Sequence, residues 1–292
     1  MKRRELVFGA AALALRAQNK PRQSFRAGVV PSGRNSPVDA FWSGCDEVSA
    51  LGFHIIEFNN TRAEIVEAYL DHVDEFREEL SRRQLALAGV ALFSHIANAE
   101  LKIDLLDHHL KLGHFLSSIG GAYITHMIAP AEALNESMDE KDYRGVDVRV
   151  WAANANEIGR WLLNEYGVKL AYHPEQVEIR TGLHERFLAA ADERYVRLLV
   201  DTGHIESGGA NPVEFCRRFR DRIEAVHLKD FGFGPSAPAK AGNVPFGQGS
   251  VDLRGVVSTL LETNFSGWVM SESGGTNRGM RDYMAQSLNI SL

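Results

Sequence analysis

Cysteine is scarce in this sequence, since only Cys45 and Cys216 occur among its 292 residues. The two lie far apart and in no spacing typical of a metal site, and two cysteines cannot build a disulfide framework. We therefore expect buried or unreactive thiols. Long apolar runs are also lacking, because no run reaches the roughly 20 residues that a membrane-spanning helix requires.

Positive charge is not in excess either. The chain has 32 Lys and Arg residues against 38 Asp and Glu residues, which gives a formal net charge of −6. A protein whose main partner is a nucleic-acid backbone usually presents a basic face, so we expect no nucleic-acid partner. With 45% apolar and 24% charged residues, the chain is predicted to bury a substantial core.

The first eighteen residues differ in composition from the rest. Basic residues at positions 2–4 precede an apolar run from Leu6 to Leu15. Ala12-Leu13-Ala14 then offers a small-x-small cleavage site. The pattern predicts an export signal over residues 1–18, and its arginine pair indicates twin-arginine export to the periplasm. The alternative is an ordinary first helix in a cytoplasmic protein. After removal of such a signal, we expect no membrane contact.

Short apolar runs alternate with longer amphipathic ones after residue 24. Strands separated by helices imply parallel βα units, and eight such units can close into a (β/α)₈ barrel of about 250 residues. We predict one such α/β barrel domain over residues 24–292. A doubly wound open sheet is the alternative, but no Gly-x-Gly-x-x-Gly follows the first strand. The predicted strands are Phe25–Val30, His54–Phe58, Ala86–Phe93, Ala122–Met127, Val168–His173, Val196–Val200, Ala225–Leu228 and Trp268–Ser271.

The segments between these strands carry apolar residues at spacings of three or four, which is typical of one helix face. The predicted helices include Arg62–Arg83, Leu101–Ile119, Val148–Tyr166 and Pro212–Phe219. One stretch breaks the pattern: Phe231–Ser250 holds five glycines and three prolines in twenty residues. Loops this long are uncommon inside a compact domain and are often functional. We predict a substrate-covering loop here, with a slack surface linker as the alternative.

Acids and histidines recur where the predicted strands end. In a (β/α)₈ barrel, the C-terminal strand ends surround the active site. A single strand-end acid can cap a helix, and a single histidine can belong to the core. Seven of the eight predicted strands end in an acid or a histidine. Stability alone does not readily explain this number, because such groups cost free energy when buried unless they are paired or metal-bound. The residues are Glu57, His95, His126, His173, Glu175, Asp201, His204, His227 and Glu272.

Three of these residues suit a divalent cation. Asp201, His227 and Glu272 follow three successive strands and offer two carboxylates and one imidazole, which fit Mn²⁺, Mg²⁺, Co²⁺ or Zn²⁺. A mononuclear site with open positions can polarise a carbonyl and the adjacent hydroxyl, and so stabilise the enediolate that forms when the carbon between them loses a proton. A nearby histidine or glutamate must accept that proton.

Several motifs give this pattern a specific resemblance. Val200-Asp201-Thr202-Gly203-His204 and Val226-His227-Leu228-Lys229-Asp230 resemble the paired motifs of the sugar-phosphate isomerase/epimerase superfamily, the xylose isomerase-like or AP endonuclease 2-like TIM barrels. Gly247-Gln248-Gly249-x-Val251-Asp252 and Ser271-Glu272 resemble later landmarks in the same order. Tyr172-His173-Pro174-Glu175 resembles the Tyr-His-Asn-His stretch of one branch. The similarity extends from about residue 25 to the end.

The resemblance implies metal ligands at Asp201, His227 and Glu272, of which Glu272 is also a candidate catalytic residue. It places His204 against metal or substrate, as a second catalytic candidate. The family usually carries another metal-binding carboxylate at the end of the fifth strand, where this sequence has Ala171 or His173. We assign Glu175 as the fourth ligand and His173 as an acid/base catalyst, although the two roles could be exchanged.

The remaining strand-end residues are assigned to substrate binding. The resemblance implies that Lys229 and Asp230 extend the pocket, and Glu57, His95 and His126 are placed at the same rim. Glu178 falls where one branch of the family carries a further glutamate, so it is another candidate for the fourth metal ligand.

The function implied is a metal-dependent sugar isomerase or epimerase that removes a proton next to the carbonyl of a sugar, keto-sugar or keto-inositol. Without a fifth-strand carboxylate, a dehydratase or lyase acting on oxidised (3-keto) sugars or glycosides is the alternative. A non-catalytic sugar-binding barrel is a second. The family's DNA-repair endonucleases need further histidines after the seventh strand, and this chain has none beyond His227. The sequence leaves open whether the chain forms a homo-oligomer.

Overall fold

Parallel strands alternate with helices in the computed structural model, which describes residues 22–31, 38–58, 65, 68–97, 103–128, 140–234, 237–272 and 275–292. The predicted export segment, residues 1–18, lies outside this part of the chain. The strands are β1 Arg26–Val29, β2 Ile55–Phe58, β3 Ala86–Ser94, β4 Tyr123–Ile128, β5 Lys169–Tyr172, β6 Val196–Asp201, β7 Ile223–Leu228, β8 Asp230–Gly234, β9 Ala237–Val244 and β10 Trp268–Ser271.

Eight of these strands close into a barrel in the order β1, β10, β7, β6, β5, β4, β3, β2. Every neighbouring pair is parallel; in one of them Asp201 lies beside His227. The (β/α)₈ prediction is therefore confirmed. Because parallel strands share one direction, all their C-terminal ends meet at the same rim.

Helices cover the outside of the barrel. They are α1 Val38–Ala50, α2 Val73–Arg82, α3 Ile103–Ile119, α4 Val148–Trp161, α5 Gln176–Arg180, α6 Leu183–Ala190, α7 Thr202–Ser207, α8 Pro212–Phe219, α9 Leu253–Glu262 and α10 Asn277–Asp282. Among the described residues, none of the helices is both long enough and apolar enough to cross a bilayer. Cys45 and Cys216 are buried free thiols, as expected.

Side chains along each strand alternate between the barrel interior and the helix layer. The larger core lies between strands and helices and includes stacked rings such as Trp151 on Phe187, whose centroids are 3.8 Å apart. A smaller core fills the barrel. Its members are Val30, Ala88, Tyr123, Ala171, Leu199, Ala225, Trp268 and Met270.

Two predicted segments differ from the structure. The helix predicted over Arg62–Arg83 is not continuous, because His72, with φ −131°, leaves the helical conformation and α2 starts only at Val73. The loop predicted over Phe231–Ser250 begins instead as the antiparallel hairpin β8–β9, in which Phe231 pairs with Asn243. Backbone pairing does not require an alternating apolar pattern. The glycines and prolines of this segment therefore led to the prediction of a loop, although its backbone pairs as two strands.

Gly89 of β3 is required by the packing of the barrel interior. A Cβ atom at this position would lie 2.5 Å from the ring of Tyr123 on the neighbouring strand. That ring is fully buried, and its hydroxyl donates a hydrogen bond to Glu57 Oε2 at 2.5 Å. Gly89 therefore allows Tyr123 to reach across β3 to β2.

We predict that Gly89→Ala lowers the free energy of unfolding by about 1–3 kcal/mol, the usual cost of overpacking, in a denaturant titration. Gly279→Ala in α10 is the control, because its Cβ would meet only the Thr276 hydroxyl, at 3.2 Å. The control should change the free energy of unfolding by no more than about 0.5 kcal/mol. Equal midpoints for the two variants would contradict this packing.

Candidate active site at the C-terminal rim

Three strand ends bring the predicted metal ligands together. Asp201, His227 and Glu272 each offer one donor atom, and these atoms lie within 4.8 Å of one another. His227 Nδ1 is 3.1 Å from Glu272 Oε2 and 3.8 Å from Asp201 Oδ2. All three side chains are buried. The arrangement places two carboxylates and an imidazole around one point.

The Asp-Thr-Gly-His motif explains how Asp201 is held. Its Oδ1 accepts hydrogen bonds from the backbone N–H groups of Gly203 and His204 at the start of α7, which leaves Oδ2 to face the site. The Thr202 hydroxyl donates to the carbonyl of Lys229 at 2.7 Å, and the Lys229 N–H donates back to it at 2.8 Å. A Cβ atom at Gly203 would lie 2.8 Å from the Lys229 side chain, so glycine makes room for that residue.

His227 is oriented from behind by Glu57. Glu57 Oε2 is 2.9 Å from His227 Nε2 and also accepts the Tyr123 hydrogen bond, so His227 Nδ1 faces Asp201 and Glu272. Burial alone would lower the pKa of His227, but the carboxylates of Glu57 and Glu272 raise it to about 10. Glu57, predicted to bind substrate, uses its Oε2 for His227 and Tyr123. Metal-binding histidines usually have such a carboxylate on their second nitrogen.

Lys229 supplies the positive charge of the site. Its ammonium lies 2.8 Å from Asp201 Oδ2 and 3.2 Å from Glu272 Oε2. Burial alone would raise the pKa of both carboxyls, but the Lys229 charge holds the pKa of each well below its usual value. Asp201 and Glu272 are therefore carboxylates at neutral pH.

A divalent cation fits this arrangement. Carboxylate oxygens and an imidazole nitrogen form the donor set of a mononuclear site with open positions. His227 Nδ1 and Asp201 Oδ2 are buried donor atoms that form no hydrogen bond of ordinary geometry, although Lys229 pairs with Asp201 Oδ2 by charge. The site thus attracts positive charge: Asp201 Oδ2 offers lone pairs directly, and His227 Nδ1 would offer one when a bound cation displaces its proton.

A second group of side chains stands beside these donors. Glu175 Oε2 is 3.1 Å from His204 Nδ1, and Glu175 Oε1 is 3.7 Å from His173 Nδ1. The other nitrogens of the two histidines face Asp201 Oδ2, at 3.5 Å from His173 Nε2 and 3.7 Å from His204 Nε2. Burial alone would lower the pKa of His204, but Glu175 and Asp201 raise it.

Glu175, predicted as the fourth metal ligand, lies beside the two histidines. Glu175 contacts the two histidines and does not join either group of donors close enough to share an ion, namely Asp201 with His227 and Glu272, or His173 with Asp201 and His204. It follows β5 and precedes α5, so its side chain reaches the outer side of His204 rather than the centre of the rim. Ala171 occupies the inner face of β5.

Two predicted substrate-binding residues have structural roles instead. His126 points into the helix layer, where its ring nitrogens bond the Ser94 hydroxyl and the Trp151 indole N–H, both at 3.1 Å. Burial lowers the pKa of His126 to about 3. The Asp230 carboxylate accepts hydrogen bonds from the N–H groups of Gly247 and Gly249, which closes the base of the β8–β9 hairpin. His95 follows β3 directly and is half-buried.

Glu178, the other candidate for the fourth ligand, is buried behind β5. It accepts hydrogen bonds from the Tyr172 hydroxyl at 2.5 Å and from the Glu175 N–H at 3.2 Å. Burial raises its pKa to about 8, although the Tyr172 bond opposes this shift. Glu178 is thus a protonated acid at neutral pH that supports the β5 end.

We predict that Glu178→Gln stabilises the protein at high pH. A carboxyl whose pKa is raised in the folded state contributes its stability below the unfolded pKa, near 4.5, and loses it as pH rises through about 8. Glutamine mimics the protonated acid, so the variant should match the native chain at pH 5. At pH 9 it should exceed the native chain by about 1 kcal/mol or more, on the order of 3 °C in Tm.

Thermal unfolding across this pH range provides the measurement. Glu185→Gln is the control, because Glu185 lies on the surface in an ion pair with Arg218. A fall in stability between pH 5 and 9 that persists in Glu178→Gln would show that another group causes it.

Comparison with known proteins agrees with this architecture. A family model described as a xylose isomerase-like TIM barrel matches residues 45–289. Inosose dehydratase of Clostridium botulinum (strain Alaska E43 / Type E3) is 27% identical over 259 residues, which cover 80% of this chain and 82% of that protein.

Solved structures share the fold at low sequence identity. The apo form of 3-keto-D-glucoside 4-epimerase YcjR from E. coli has a TM-score of 0.66 and 13% identity, over 91% of this chain and 100% of that one. The IolI protein with a bound zinc atom has a TM-score of 0.62 and 18% identity, over 89% and 96%. Since the family model covers most of the sequence, the chain belongs to the xylose isomerase-like TIM-barrel family.

Proposed function

We propose that this protein is a metal-dependent enzyme that removes a proton from the carbon next to the carbonyl of an oxidised sugar or keto-inositol and then releases water. The observation that carries the proposal is the pair of histidines, His173 and His204, joined by Glu175 beside the candidate metal donors. Curated relatives named inosose dehydratase support the substrate class.

The metal donors define where the carbonyl binds. When bound, a divalent ion held by Asp201, His227 and Glu272 would polarise the carbonyl and its adjacent hydroxyl, which makes the neighbouring C–H more acidic. The IolI relative, whose structure contains a zinc atom, supports such an ion. Lys229 can donate a hydrogen bond to the negative charge that develops on the carbonyl oxygen.

The two histidines are assigned to different steps. The carboxylates of Glu175 and Asp201 raise the pKa of His204, so we assign it as the acid. His173 Nε2 accepts the proton from carbon, and the electron pair of that C–H bond becomes part of the enediolate. Expulsion of a hydroxide from the next carbon, with a proton from His204, releases water and forms the new C=C bond.

The inner face of β5 favours elimination. Ala171 lies there, buried in the barrel interior, so the inner face of β5 offers no carboxylate for proton return. Epimerisation is the second candidate, because Glu272 follows β10 and His173 follows β5, with β7 and β6 between these two strands. A proton removed by one could be returned by the other. Export of the chain, which residues 1–18 predict, would favour substrates without phosphate.

We predict proton exchange at carbon in D₂O. The purified protein supplied with Mn²⁺ should transfer deuterium into an inosose or a 3-keto-glycoside, or convert it to a product lighter by one water, as mass spectrometry would show. Removal of the base in His173→Ala should lower the rate by about 100-fold or more. His54→Ala is the control, because His54 is an exposed histidine whose Nδ1 bonds the Gln84 carbonyl.

The products separate the candidates. Loss of water indicates the dehydratase, and deuterium-labelled stereoisomers without loss of water indicate the epimerase. Tight sugar binding without exchange or conversion would instead support a non-catalytic binding barrel and would contradict the enzymatic proposal.

A further inference from the structure

Among the described residues, two oxygen atoms on β2 and β4 are buried without a hydrogen-bond partner. One is the hydroxyl Oγ1 of Thr125 on β4, and the other is Oε1 of Glu57 on β2. Both side chains are fully buried. A buried polar group without a partner costs free energy, so most such groups in native proteins are satisfied by protein, water or ligand.

The strand register shows that both atoms face the inside of the barrel. Tyr123 belongs to the inner core and bonds Glu57 Oε2. Thr125 comes two residues after Tyr123 on the same unbroken strand, so it points to the same side. His126, the next residue, points outward to Trp151, as the alternation requires.

Small side chains flank Thr125 on both neighbouring strands. Its register neighbours are Ala91 on β3 and Ala171 on β5, and both are alanines. Two residues beyond Ala171 lies His173, the proposed base. β4, the strand of Thr125, lies across the ring from β10, the strand that precedes Glu272, and is separated from β6 only by β5.

The two atoms have complementary hydrogen-bonding chemistry. A carboxylate oxygen only accepts, and a threonine hydroxyl donates and accepts. An alcohol group can donate to either atom and can also accept from the threonine hydroxyl. An ammonium cannot accept, and a ketone oxygen cannot donate. A polyhydroxylated ring, with several alcohol groups around one carbonyl, can present an alcohol group to these atoms when its carbonyl faces the metal donors.

We propose that Thr125, together with Glu57 Oε1, forms a hydroxyl-binding subsite that selects among polyhydroxylated substrates by a hydroxyl distant from the reacting carbonyl. This inference rests on the proposed function, since it deepens the substrate class of the same site. Thr125 is a specificity-determining residue and takes no part in proton transfer.

The test measures equilibrium binding of 2-keto-myo-inositol and its monodeoxy analogues, or of methyl 3-ketoglucoside and its deoxy analogues, to the Mn²⁺-supplemented protein. Thr125→Val should weaken binding of the parent compound about tenfold, the effect of one hydrogen bond. One deoxy analogue should bind the native protein more weakly than the parent compound does, by the same factor. The same analogue should bind Thr125→Val as tightly as it binds the native protein, since the substitution and the missing hydroxyl remove the same contact.

Thr259→Val is the matched control. Thr259 on α9 also has a buried hydroxyl oxygen without a hydrogen-bond partner, but it lies in the helix layer, so binding should not change. Thr125→Ser, which keeps the hydroxyl, should bind the parent compound as the native protein does. Thermal unfolding of each variant verifies that it folds.

Different failures have different meanings. If the native protein binds an oxidised sugar and Thr125→Val binds it equally well, the proposed subsite does not exist and the Thr125 hydroxyl forms a hydrogen bond only to a bound water molecule. An equal loss for every deoxy analogue in both proteins would also overturn it. If the native protein binds neither compound, the proposed function fails and the subsite fails with it.

Discussion

The ion pair between His227 and Glu57 links the fold to the site. Its 2.9 Å contact crosses from β7 to β2, so it forms only when the barrel is closed in register. It turns His227 Nδ1 toward Asp201 and Glu272 and places three carboxylates around one imidazole. Buried charges of one sign are costly unless a cation compensates them. That requirement for positive charge accounts for Lys229 and for the fit of a divalent ion.

Neighbouring residues hold Glu57 and the strand ends of the site in place. Tyr123 fixes Glu57, and Gly89 makes room for Tyr123. Thr202 ties the end of β6 to the backbone of Lys229. Such contacts outside the donor set usually determine the orientation of metal-binding side chains. They also explain why the Asp-Thr-Gly-His and His-Leu-Lys-Asp motifs occur together: residues of one pack directly against residues of the other.

The sequence predicted the eight strands and the convergence of the three donors, because strand direction and the common rim follow from alternating βα units. It could not tell which strand-end side chains face inward. His126 was chosen for its chemistry, yet the inward residue is Thr125, one position earlier. Side-chain direction depends on register, and irregular pairing between Ile56 and Glu57 shifts it further. The position of Glu175 beside His204 depends on the turn between β5 and α5. The spacing of residues in the sequence does not predict the geometry of that turn.

The central claim is that Asp201, His227 and Glu272 together bind one divalent cation. Anomalous diffraction from a crystal soaked in Mn²⁺ or Zn²⁺ tests it most directly. We expect one strong peak about 2.0–2.2 Å from a carboxylate oxygen of Asp201, a carboxylate oxygen of Glu272 and Nδ1 of His227, with Glu57 still bonded to Nε2 of His227. A peak bound by His173 and His204 instead, or no peak at the rim, would contradict it.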